Sequence, residues 1–287
     1  MLLPGIIFTT IFCYAQYFGL VLAFNDFHIF KGVWGSPWVG LDNFKRIFTT
    51  PNFTQGIINT VKYSIIIIFI GFPLPIILAL AFNELRSMKF KKVTQTISYM
   101  PYFLSWATVT GIVYGLFARD GMVNDILKLI QGEAYVPNRV MYESQYFGYL
   151  LFFSNQWKNI GWASILYLAA ITGIDQQLYE AASIDGCNKL QKIWHITFPG
   201  IRTVVVLQLI LNTGNLFGSN FEQVFGLQNL YIQEATDNMG TLMYRWGIQG
   251  GEYSLSTALG MVQGLASLIM VILANRISKK VSGLAIW

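Results

Sequence analysis

The chain has 287 residues, 54% of them hydrophobic, 16% aromatic and only 11% charged, and its mean hydropathy is +0.49. A soluble domain carries about a quarter charged residues, so this composition excludes an ordinary globular enzyme and points to one all-α membrane domain over residues 1–287. The net charge of +5 does not signal nucleic acid, because Lys and Arg gather at the ends of apolar runs, where they act as topology signals.

About 20 apolar residues cross a bilayer as a helix, and six such runs are predicted. The first is Leu2 to Phe24, which lacks the basic start and small-residue cleavage site of a signal peptide and is read as a span, with a short leader expected before it. A polar loop with Trp34 and Trp38 follows, and tryptophan suits the bilayer interface. The second span, Ile57 to Phe82, contains Gly71, Pro73 and Pro75, which should loosen the helix because proline lacks a backbone donor. A basic turn with Arg86, Lys89, Lys91 and Lys92 leads into the third span, Ile97 to Phe117, where Trp106 is expected to pack. A mixed-charge segment carrying Asp120, Asp125, Glu133 and Glu143 precedes the fourth, Phe147 to Ile174. The fifth starts near Ile201 and fades through Asn212, Asn215 and Asn220 into a loop reaching about Ser256; the sixth is Thr257 to Asn275.

Six spans place both termini on one side. That side also holds the Arg86 to Lys92 cluster, Lys189, Lys192, Arg202, Arg276, Lys279 and Lys280, whereas ten of the fourteen acids fall opposite. The basic side is therefore read as cytoplasmic.

Between spans four and five lies the most polar helical stretch. Asp175 is placed to cap a helix from Gln176 to Ile184, with Leu178, Ala181 and Ala182 on one face at i, i+3 and i+4. A helix of about nine residues is not stable without packing. Gly186 suits the left-handed position that ends it, Asn188 caps a second short helix to His195, and Pro199 is expected to stop that helix before span five.

Glu180, Ala181 and Ala182, with Asp185, Gly186, Ile196 and Pro199, resemble the EAA loop of the permease subunits of binding-protein-dependent ABC importers, of the maltose-like, sugar-type branch. Ile193 to Pro199, Gly161-Trp162 and Ile165 to Ile171 are similar to the same branch, while Asn59-Thr60 and Pro37 to Phe44 look like its complex-oligosaccharide members. The departures are Cys187 for the usual Ala and Phe198 for the usual Leu. The resemblance implies a type I importer transmembrane domain of six helices in a bacterial inner membrane, whose EAA loop seats as a coupling helix on an ATPase. It further implies four kinds of partner: a second homologous permease, two ATP-binding subunits, an extracytoplasmic solute-binding protein and an oligosaccharide cargo. ATP and Mg are expected in the partner ATPase and no cofactor in this chain, which has no Gly-Lys pair and so no phosphate-cradling P-loop.

Other chemistry is sparse. With two histidines, His28 and His195, no His-based zinc site is expected, and no Gly-x-Ser-x-Gly elbow occurs, so the chain is read as no enzyme. Polar residues inside a span mark a pathway or a helix contact. Asn155, Gln156, Trp157 and Asn159, with Asn212, Asn215, Asn220, Glu222 and Gln223, are the candidates for a sugar route, since amides and carboxylates match hydroxyls and indoles stack on sugar rings. Lys158 and Glu222 are alternatively read as snorkelling toward the outer interface, or as the relay of an ion-coupled transporter or channel.

Overall fold

In the computed structural model, which describes residues 2–132, 135–218 and 220–286, the chain is almost entirely helical; among the described residues the only β pairing is a single bridge between Asn25 and Trp38. Glu133 lies outside the described residues. Among the described residues four helices are long and apolar enough to cross a membrane: α1 (Leu3–Phe24), α2 (Phe53–Asn83), α7 (Lys189–Phe217) and α9 (Tyr253–Lys280). Between α2 and α7 lie α3 (Met88–Phe103), α4 (Trp106–Phe117), α5 (Ser144–Thr172) and α6 (Gln176–Ile184), and α8 (Phe221–Leu227) follows α7.

The expected third span is not one helix. α3 and the segment beginning at α4 meet at an angle of 102°. Pro101 opens the last, tightened turn of α3, and Ser105 caps the start of α4 by accepting from Thr108 N at 3.2 Å, so the chain restarts in a new direction. The expected fourth span is α5, whose 29 residues reach about 43 Å at 1.5 Å per residue. It lacks the sustained apolar run of the other four because Asn155, Gln156, Lys158 and Asn159 interrupt it.

Pro199 does not stop the helix as expected; α7 runs through it. Just before the proline, residues Ile193–Thr197 form a π turn in which Phe198 N bonds to Ile193 O, five residues back. This wider turn absorbs one residue and brings Pro199 into a first-turn position, where its missing donor costs little. The same device serves α2, where the π turn Ile66–Ile70 precedes Pro73 and Gly71 N reaches Ile66 O at 3.3 Å. There the expected loosening at Gly71 to Pro75 is present.

α5 is the central helix. It packs against the second half of α2 and the first half of α7 through Ile76, Ala79, Tyr167, Ile171 and Ile201, and its N-terminal part joins a second apolar cluster through Phe147, Leu150 and Leu151. The third cluster, Ala23, Ile47, Phe53, Met239, Leu242 and Leu259, ties α1 and α9 together. α1 buries only Ala23 and leaves an apolar surface that suits lipid.

The stretch after α8, expected to be a loop, is folded, and its middle, residues 236–242, is buried. Asn59 donates to the carbonyls of Ala235 (2.9 Å) and Asp237 (2.8 Å), and Thr60 Oγ1 accepts from Met239 N (2.9 Å). Asp237 pairs with Arg245 and accepts from Thr241 (2.8 Å) and Gln228 (3.2 Å). Burial pushes the Asp237 carboxyl above its usual range, while Thr241, Arg245 and Gln228 pull it down. Sequence hydropathy reads this polar stretch as exposed, and the satisfied network is what lets it be buried.

Candidate functional site

The polar stretch from Asp175 to Pro199 forms α6 with the predicted bounds. Asp175 Oδ1 accepts from Gln177 N at 2.9 Å, closing the N-terminus. At the other end Gly186 has φ +77°, and two bonds complete the turn, Cys187 N to Ala182 O (2.9 Å) and Gly186 N to Ser183 O (3.2 Å), the pattern that satisfies the last carbonyls of a helix. Asn188 caps the next helix through a reciprocal bond with Gln191.

No residue of α6 is buried; Leu178 is 53% and Ile184 87% exposed, and Glu180, Ala181 and Asp185 are exposed with them. The helix is braced only from behind. Lys192 Nζ donates to Ser183 Oγ (2.5 Å), the hydroxyls of Tyr179 and Thr197 lie 2.9 Å apart, and Lys189 pairs with Glu84 at the end of α2 (2.9 Å). Of the remaining residues matched to this loop, Ile196 lies in the π turn and Pro199 in the first turn of the α-helical part of α7. The arrangement is a rigid knob, tied to α2 and α7, that presents an uncovered face.

The nine polar candidates of the expected route separate into two kinds. Gln156, Asn159 and Asn212 line one cavity of about 150 Å³ between α2, α5 and α7, joined by Gln208 and the edge of Asn155. The side chains of Gln156, Asn159, Gln208 and Asn212 bond to none of the described residues. Gln208 was not among the sequence candidates; its place four residues before Asn212, on the same helix face, is the signal that finds it.

Asn155 and Gln223 instead bond to each other at 3.2 Å, and Gln223, 0% exposed, donates to Leu151 O (2.7 Å) and Ser154 Oγ (2.9 Å). This pair fastens α8 to α5. Trp157 turns to the far side of α5, into an apolar groove with Ile112, Tyr149 and Phe153. Asn215 and Asn220 lie at the turn from α7 into α8, and Glu222 is exposed on the rim of a separate cavity.

Lys158 does not snorkel. Its side chain is buried, with the residue 7% exposed, and Nζ donates to the carbonyls of Tyr102 and Leu104, both at 2.6 Å. These are carbonyls at the C-terminal end of α3, where a cation complements unsatisfied oxygens. On the same face of α5, Trp162 stacks on Tyr102 with ring centroids 4.5 Å apart. Trp106, expected to pack, offers its ring to the Lys158 ammonium at 5.5 Å.

The chain is thus a helical bundle with a break in one segment, amides facing a cavity between its helices and a capped helix beside it. The family model described as binding-protein-dependent transport system inner membrane component matches residues 71–283, and the chain belongs to this family of multi-pass inner-membrane permeases. The polygalacturonan/rhamnogalacturonan transport system permease protein YteP of Bacillus subtilis (strain 168) is 41% identical over 98% of this chain and 87% of its own length. Protein LplB of the same organism is 36% identical with the same coverage. The fold is that of an ABC importer permease. A bacterial ABC transporter involved in the import of the acidic polysaccharide alginate has a chain that superposes with a TM-score of 0.89 at 35% identity, over 98% of this chain and 94% of that one. A second structure of a bacterial alginate ABC transporter, in complex with an alginate pentasaccharide-bound periplasmic protein, also gives 0.89, at 34% identity, over 100% of this chain and 95% of that one.

Proposed function

We propose that this chain is one of two permease subunits of an ATP-driven importer that moves oligosaccharides delivered by an extracytoplasmic solute-binding protein. The observation that carries the reading is α6: nine residues, capped at both ends, with no buried residue. A helix of that length holds its shape through tertiary packing, so the exposed Leu178, Ala181 and Ile184 need a partner surface. Two cytoplasmic ATP-binding subunits supply it. They bind ATP and Mg, and their closure displaces α6, with Glu180 and Asp185 making polar contacts and Ala181 and Ala182 allowing close approach.

The ion pair from Lys189 to Glu84 places α6 beside the basic turn that follows α2. On the rule that basic loops stay inside, α6 and both termini are cytoplasmic. Counting the bent pair and α5 as crossings gives six spans in a single permease domain. The cavity of free amides between α2, α5 and α7 is the cargo route: in a low-dielectric interior an amide without a protein partner is costly, and sugar hydroxyls satisfy it. The relatives' saccharide cargoes support the same class here.

Purified from its native membrane, the chain should bring down a second permease and an ATPase. ATP hydrolysis should rise when the loaded binding protein is added. A variant with both Asn159→Leu and Asn212→Leu should keep basal hydrolysis and lose about tenfold in cargo stimulation, the equivalent of one or two hydrogen bonds of about 1 kcal/mol each. Wild-type stimulation in that variant would remove the amide cavity from the route, and the absence of any ATPase partner would overturn the importer reading.

A further inference from the structure

The second cavity, about 420 Å³, opens at the break between α3 and α4 and is lined by Tyr102, Leu104, Ser105, Trp106, Lys158, Asn159 and Glu222. Asn159 also lines the amide cavity, so the two spaces share a wall. Lys158 is the one buried cation among the residues that line either space. Its ammonium has three donors. Two are taken by the carbonyls of Tyr102 and Leu104, and the third is taken by none of the described residues. Among the described residues no carboxylate lies within 4.0 Å of it, and Glu222, on the same cavity wall, is not paired with it. The rings of Tyr102 and Trp106 stand 5.2 and 5.5 Å from the charge.

Carbonyls and ring faces hold the ammonium in place without neutralising it, and the one carboxylate on the same cavity, the exposed Glu222, stands beyond ion-pair distance. A charge so placed within a span is expensive and acts on whatever passes. It favours an anion by a charge-assisted hydrogen bond, about twice the strength of a neutral one. It repels cations and gives a neutral sugar only an ordinary donor.

We infer that the cavity at the α3–α4 break is a subsite for a carboxylated sugar, with Lys158 binding the carboxylate of a uronate residue while Asn159 and Glu222 take its hydroxyls. The inference rests on the oligosaccharide reading and sharpens it to acidic oligosaccharides. Lys158 then has two tasks on one side chain: it closes the end of α3 and reads the charge of the cargo.

The test is a titration of the purified importer complex, with the solute-binding protein left out so that only the permease discriminates. The probes are trigalacturonate and its fully methyl-esterified form, which has the same chain length and no charge, and binding is followed by tryptophan fluorescence. The wild-type complex should bind the acid about tenfold more tightly than the ester. Lys158→Arg should keep that preference. Lys158→Met should bring the two affinities within about twofold, mainly by weakening the acid. Equal weakening of both probes by Lys158→Met would reduce Lys158 to a fastener of α3 and overturn the inference, as would an unchanged preference in that variant. Wild-type binding of both probes without preference would also overturn it while leaving the oligosaccharide reading in place, and binding of neither would overturn it as well.

Discussion

Replacing Asp237 with alanine is expected to lower the stability of the folded chain by about 3 kcal/mol, because it strands a half-buried guanidinium. Asp237 is 1% exposed, and Arg245 reaches both it and Gln228 Oε1, the latter at 2.9 Å. Removing the carboxylate also takes one acceptor each from Thr241 Oγ1 and Gln228 Nε2, which keep only Asn238 O (3.1 Å) and Thr236 Oγ1 (3.1 Å) as close partners. The loss should spread to the contact between the segment after α8 and the start of α2, since Asn59 bonds to the Asp237 carbonyl. Thermal unfolding in detergent reads the effect. The double variant Asp237→Leu with Arg245→Met should recover most of the stability, because an apolar pair of similar volume avoids the desolvation that the ion pair bears. If the double variant is as unstable as the single one, the network and not the stranded charge is what matters.

Gly161 is the second sensitive position. A Cβ there would stand 1.9 Å from the Ser98 carbonyl oxygen and 2.5 Å from its carbon. The obstacle is the backbone of α3, which has no rotamer to yield, so α3 and α5 must part. The separation would stretch the Lys158 bonds and the Tyr102–Trp162 stack, which lie on the same face of α5 within one turn. Gly161→Ala should cost about 3 kcal/mol, the upper part of the usual overpacking range, and Gly161→Val should leave little folded protein in the membrane. Near-normal thermal stability of Gly161→Ala would mean that the close approach of α3 to α5 is not as tight as described.

How much of this was legible in the sequence depends on whether a feature is local. α6 was read with its bounds because its signals are local: a capping aspartate, a glycine at the left-handed position and an asparagine capping the next turn. The span at Leu3–Phe24 was equally plain from its unbroken apolar run. Pro199 misled because the compensating π turn lies upstream, and nothing in Ile193–Thr197 marks a wider turn. The break at Leu104 and Ser105 was missed because the residues that hold it, Lys158, Gly161 and Trp162, come from a helix more than fifty residues away. Glue and route amides were indistinguishable for the same reason. Asn155 and Asn159 are one turn apart on α5, and only the arrival of Gln223 from α8 assigns the first to packing.

The central claim is that α6 transmits the work of a partner ATPase. Cargo-stimulated ATP hydrolysis by the assembled importer tests it most directly, with Glu180→Lys and Gly186→Pro introduced separately. Glu180→Lys reverses a charge on the uncovered face. Gly186→Pro forces φ from +77° to about −65° and removes the donor to Ser183 O, which undoes the end of the helix. Both variants should leave the chain inserted and thermally stable, since no residue of α6 is buried within it, and both should cut stimulated hydrolysis by about tenfold or more, the loss of about 1.4 kcal/mol of coupling. Assembly and stimulated hydrolysis at wild-type levels in both variants would contradict the claim.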